Sequence, residues 1–170
     1  LDTDLLELSA SATTSFNASG TLEIRRGTVL DNGSDFFDGV GNLTMTGGLY
    51  KFNDFVPTAG TTFYPRLSGN YNVTGGTIEL AAITNTSAKF QILRGSKTYH
   101  NLKISGASSN GGYKGVSNAI VVNNSLNITG TSIFDTDSKS VTGNAGVAMD
   151  GGRWRISKLT NAQPELSGSY

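Results

Sequence analysis

One short phrase recurs along the chain: apolar, any, apolar, any, two small residues, any, apolar. Its clearest copies are Leu43-Thr-Met45-Thr-Gly47-Gly48-Leu-Tyr50, Tyr71-Asn-Val73-Thr-Gly75-Gly76-Thr-Ile78 and Val147-Ala-Met149-Asp-Gly151-Gly152-Arg-Trp154. Looser copies begin at Leu22 (with Ile24 and Val29) and at Leu126 (with Ile128 and Ile133), and a half-copy is Leu102-Lys-Ile104-Ser-Gly106. Aligned on Leu22, Leu43, Tyr71, Leu102, Leu126 and Val147, the steps are 21, 28, 31, 24 and 21 residues. A unit of this length cannot bury its apolar face alone and must stack on its neighbours.

Alternation on either side of the small residues reads as two short strands per repeat separated by a tight bend, with glycine supplying backbone angles that a β-carbon forbids. Fixed motif and variable step predict an all-β fold, a parallel β-helix or β-solenoid of about six coils over residues 1–170, with loops absorbing the length differences. A β-sandwich shares the short strands and turns but does not call for one phrase repeated six times. At about 4.8 Å per coil, the expected rod is roughly 25–30 Å long. The expected core is Leu22, Ile24, Leu43, Met45, Tyr71, Val73, Leu102, Ile104, Leu126, Ile128, Val147, Met149 and Trp154. Pro164-Glu-Leu166-Ser-Gly168-Ser-Tyr170 echoes Pro65-Arg-Leu67-Ser-Gly69-Asn-Tyr71. A seventh unit thus starts where the sequence stops, and the chain reads as a fragment of a longer array.

Composition supports this and excludes several functions. Gly 22, Thr 20, Ser 19 and Asn 15 make up nearly half of the 170 residues, a bias towards turns and strands over helices. Charged residues are 15%, and Lys+Arg equals Asp+Glu at 13 each. That balance offers no footprint for nucleic acid. Arg25-Arg26 and Arg153-Trp154-Arg155 read as solvated strand faces. With no cysteine, thiolate metal sites, disulfides and Cys catalysis are out. No apolar stretch approaches the roughly 20 residues of a membrane helix, so no membrane insertion is expected. The first residues lack the form of a signal peptide.

Candidate chemistry is sparse. Asp31, Asp35 and Asp38 form an acidic stretch that could hold Ca²⁺, but its order matches neither an EF-hand loop nor the calcium-binding nonapeptide. An Asx-rich loop is the simpler reading, and no other cofactor is implied. Asp135 and Asp137 are a weaker pair. His100 stands alone as histidine, which leaves a zinc site or triad without partners, and it reads as a turn residue. Glycan hydrolysis needs two carboxylates about 5–10 Å apart. The alignment puts Asp31 and Asp135 in one column and Asp150 in another, with Arg94 and Lys97 near His100 and no diagnostic cluster. Tyr50 and Trp154 could stack on sugars, yet they align with Val29, Ile78 and Ile133, which favours core packing. Thr46, Thr74, Ser105 and Thr129 align as one hydroxyl column, interrupted by Arg25 and Asp150.

Thr98-Tyr99-His100-Asn101-Leu102-Lys103-Ile104-Ser105-Gly106, with Gly41-Asn-Leu43-Thr-Met45-Thr-Gly-Gly48 and Ser125-Leu126-Asn-Ile128-Thr-Gly130, resembles phrases of very large surface proteins of Bacteroidetes. His100 departs from the family's usual residue after the aromatic. The resemblance implies a giant secreted cell-surface adhesin, exported by the type IX secretion system and used in gliding motility. Its partners would be neighbouring coils of the same chain, secretion or outer-membrane translocon proteins, and surface glycans. The expected function is therefore a structural and adhesive rod, not an enzyme. The alternatives are a polysaccharide-active β-helix enzyme, a lyase or a glycoside hydrolase, and a carbohydrate- or ice-binding module.

Overall fold

A computed structural model describes residues 6–8, 16–17, 19–32, 37–53, 63–83, 89–107, 111–157 and 165–168. After β1 (Leu6–Leu8) the chain winds in coils. The first holds β2 (Phe16–Asn17), β3 (Thr21–Ile24) and β4 (Thr28–Asp31), and the second β5 (Phe37–Asp38) and β6 (Asn42–Phe52). The third holds β7 (Phe63–Tyr64) and β8 (Tyr71–Leu80), and the fourth β9 (Lys89–Leu93) and β10 (Lys97–Ile104). The fifth holds β11 (Tyr113–Val116) and β12 (Ile120–Thr129), and the sixth β13 (Ile133–Asp135), β14 (Val141–Gly143) and β15 (Gly146–Asp150). β16 (Arg153–Arg155) and β17 (Glu165–Leu166) follow.

Every ladder is parallel and joins a coil to the next, which makes the chain a β-solenoid. No helix occurs among the described residues. The long strands bend at their middle and serve two faces of the coil. A third face is the separate sheet β16-β13-β11-β9-β7. The third to sixth coils therefore have three sides, one more than the repeated phrase indicates.

The bend between the first two faces explains the glycine pairs. Gly48 and Gly76 have φ of 73° and 76°, in the left-handed region that side chains disfavour. A β-carbon on Gly76 would stand 2.3 Å from the Gly47 carbonyl oxygen. The coils approach too closely there for any side chain.

Inside, the second face carries two unbroken columns. One runs Val29, Tyr50, Ile78, Leu102, Leu126, Val147, and the other Asp31, Phe52, Leu80, Ile104, Ile128, Met149. The first face stacks Leu22, Leu43 and Tyr71 beside Ile24, Met45 and Val73. The sequence alignment is thus corrected by half a phrase. Leu102, Leu126 and Val147 follow the second apolar half of the earlier copies and do not continue Leu22, Leu43 and Tyr71. The 31-residue step disappears: Ile78 to Leu102 is 24 residues, like Leu102 to Leu126.

The expected core residues from Leu22 to Val147 are buried, with Tyr71 and Trp154 partly so, and Met149 is the exception at 57% exposure. Met149 pairs with Ile128 on one side, and no described strand lies along the other edge of β15. Without a covering coil its side chain faces solvent.

The echo between residues 65–71 and 164–170 also changes meaning. Leu67 bridges Gly39 ahead of the first face, whereas Leu166 pairs with Gly143 ahead of the second. Ser68 and Ser167 donate backbone N–H groups to those same glycine carbonyls. The two segments build one type of corner at two different corners of the coil.

Candidate functional site

The third face is where the interior and exterior both become polar. Alternation along β11 turns Lys114 inward and Tyr113 and Gly115 outward. Lys114 is fully buried. Its ammonium donates to the Ala82 carbonyl at 3.1 Å and to the Ser105 carbonyl, and lies 4.6 Å from the centre of the Phe90 ring. One side chain of the fifth coil thereby ties together backbone of the third and fourth. Burial lowers its pKa to about 7, against the opposing pull of Glu79. Beside it in register lies Gln91, also fully buried. Its amide donates to Phe52 O and accepts from Ala82 N. These groups satisfy carbonyls at the corner between the second and third faces, where ladder hydrogen bonding stops.

The outer surface of this face carries cations. One column runs from Lys89 to Tyr113, then to Ile133 beside the Lys114–Phe134 pair, and on to Arg153. The adjacent column is Ile92, Gly115, Asp135 and Arg155. The Arg155 guanidinium lies 4.3 Å, and the Lys89 ammonium 5.9 Å, from the centre of the Tyr113 ring. Cations over an aromatic face are held there by the ring quadrupole. Arg155 also meets the Asp135 carboxylate at 2.7 Å. Burial raises the Asp135 pKa, but the Asp137 amide, Arg155 and Ser157 outweigh it and hold the carboxyl below its ordinary value. Among the described residues, Lys89 and Arg153 have no carboxylate within ion-pair distance. Arg153 lines an open depression of about 300 Å³ with Gly111, Thr131, Ser132, Ile133 and Gly151.

Residues singled out in the sequence fall elsewhere or play other parts. Asp31 is an interior position in the Phe52 column, and Asp38 is exposed and accepts from the Gly39 amide at 2.6 Å. Asp35 lies outside the described residues. No group of three metal-ligating side chains converges among the described residues. Asp31 and Asp135 do not share a column: they sit on the second and third faces, and Asp150 pairs with Thr129. Thr46 and Thr74 end the first face, whereas Ser105 and Thr129 end the second, so the hydroxyl column divides in two. His100 lies within β10, not in a turn, at a register break between β10 and β12.

Tyr50 is interior in the Val29–Ile78 column, as the alignment has it. Trp154 instead stacks on Phe134 of the third face, ring centres 6.1 Å apart. Arg94 and Lys97 form a clamp. Arg94 donates to the carbonyls of Pro65 and Arg66, each at 2.8 Å, and Lys97 to that of Gly69 at 2.6 Å. They pin the 65–69 segment to the fourth coil.

The third-face columns, with Lys89, Gln91, Tyr113 and Lys114, escaped the sequence reading. Their strands are two to five residues long, and their inward positions include Gln91 and Lys114, so no apolar period marks them. No protein-family model matches the chain, and neither does any of the curated proteins or solved structures compared with it.

Proposed function

We propose that the chain is a structural and adhesive rod segment of a large secreted bacterial cell-surface protein. The observation that carries this reading is the pair of six-residue columns along the second face, which hold every coil in register on the next. A stack of this kind repeats its outward positions at about 4.8 Å per coil and offers many weak contacts on one stiff support. Adhesion then arises from avidity, since each engaged contact raises the effective concentration of the next. The likeness to Bacteroidetes surface phrases supports the extracellular setting and the gliding role.

The experiment compares beads carrying the chain at graded densities on a glycan-coated surface under flow. Retention rising more steeply than density supports the reading. Retention proportional to density, with free chain competing at its own single-site affinity, contradicts it. A parallel incubation follows polysaccharide chain length, and shortening would replace the rod by an enzyme.

A further inference from the structure

We propose that the outer surface of the third face binds an acidic polysaccharide, its carboxylate or sulfate groups meeting Lys89, Arg153 and the outer side of Arg155. This deepens the adhesive reading and rests on it by naming the ligand class. Several described cations elsewhere are held by partners within the chain. Arg25 pairs with Glu23, Lys103 with Glu79, and Arg94 and Lys97 are taken up by backbone carbonyls. Lys114 is buried inside. The third face, by its register, places Lys89, Arg153 and Arg155 within two adjacent columns, with Asp135 the carboxylate paired among them. In a chain whose net charge is zero, that is a local excess of positive charge on rigid strands.

The positions also suit an extended ligand. Lys89 and Arg153 end one column, three coil steps or about 14 Å apart along the rod. A linear polyanion lying along the rod meets both. The depression beside Arg153, bordered by Gly111, Thr131, Ile133 and Gly151, is of a size that admits a sugar ring. A planar guanidinium matches carboxylate and sulfate oxygens in pairs. Nucleic acid fits less well. Arg155 and Lys89 already occupy the Tyr113 ring, so the aromatic plane that stacked bases require is taken.

The test uses the whole chain in solution and measures binding of polygalacturonate, size-matched dextran and a double-stranded DNA fragment at low and high salt. Expected are binding of polygalacturonate that weakens as salt rises, none of dextran, and at least tenfold weaker polygalacturonate binding by Lys89→Gln/Arg153→Gln. Lys51→Gln/Lys139→Gln, which removes two cations elsewhere, should bind as the parent does, and circular dichroism confirms that both variants are folded. Equal binding of dextran, DNA binding as tight as polygalacturonate, or no difference between the two variants overturns the proposal. Such a failure leaves the bead result standing, so loss of this ligand and loss of the adhesive reading are told apart.

Discussion

Leu102 stacks on Ile78 of the preceding coil, not on Tyr71, and this pairing fixes the register of the fourth to sixth coils on the third. Tyr71-Asn-Val73 and Ile78-Glu-Leu80 both read apolar, any, apolar. The strand that follows can satisfy either pattern, and the two differ by seven residues along the chain.

The closeness of the coils at the first bend gives a steric prediction. Gly76→Val places a β-carbon against the Gly47 carbonyl at a positive φ and should cost about 3 kcal/mol or more. A β-carbon on Gly20 meets nothing within 4 Å, so Gly20→Ala should stay within about 0.5 kcal/mol. Urea unfolding of both variants checks the contrast.

Much of the fold was legible because its apolar columns are written in alternation. The residues Leu22 to Ile128 expected inside are there, and the coil number was close. What the sequence could not show is which columns join. A short apolar pair carries no label for its face, so Leu126 and Val147 looked like successors of Leu43. The candidate surface was hidden for a different reason. Lys89 and Arg153 are 64 residues apart and share a column only because three-sided coils bring them together.

Lys114 gives a pH dependence. Its folded pKa near 7 lies below the ordinary lysine value of 10.5. Between those values the unfolded chain holds a proton that the folded chain has released, so stability should rise with pH from about 7. The rise should total a few kcal/mol if the whole window is realised. Partly buried Tyr71 and fully buried Tyr99, whose pKa values are raised, oppose this where tyrosine ionises in the unfolded chain, so the reading is taken below about pH 9.5. Lys114→Met should lose most of the rise and keep only what Lys97, also lowered by burial, adds. Parallel slopes for parent and variant would refute the assignment.

Asp135 acts in the opposite range. Its folded pKa is depressed, so its contribution is present above the ordinary carboxylate value and fades as pH falls through the folded one. Asp135→Asn should destabilise the chain by about 1–3 kcal/mol at pH 7, and the gap should narrow towards pH 3. Urea midpoints at the two pH values measure it.

The Arg94 clamp predicts a local effect. Arg94→Leu removes the donors to Pro65 and Arg66 at about 1–3 kcal/mol. Hydrogen exchange at the Ser68 and Gly69 amides, which bond Gly39 and Gly41, should quicken more than exchange at Leu126.

Coil register underlies every inference above, and a disulfide trap reads it directly. The chain has no cysteine of its own, so introduced pairs report without background. Glu79 and Lys103 are partners in the ladder, and neighbouring strands about 4.8 Å apart lie within disulfide reach. Were Leu102 aligned on Tyr71, as the repeated phrase alone suggests, Lys103 would sit beside Asn72 instead. Oxidation should close the bond in Glu79→Cys/Lys103→Cys and leave Asn72→Cys/Lys103→Cys reduced. The reverse result would contradict the stacking of Leu102 on Ile78.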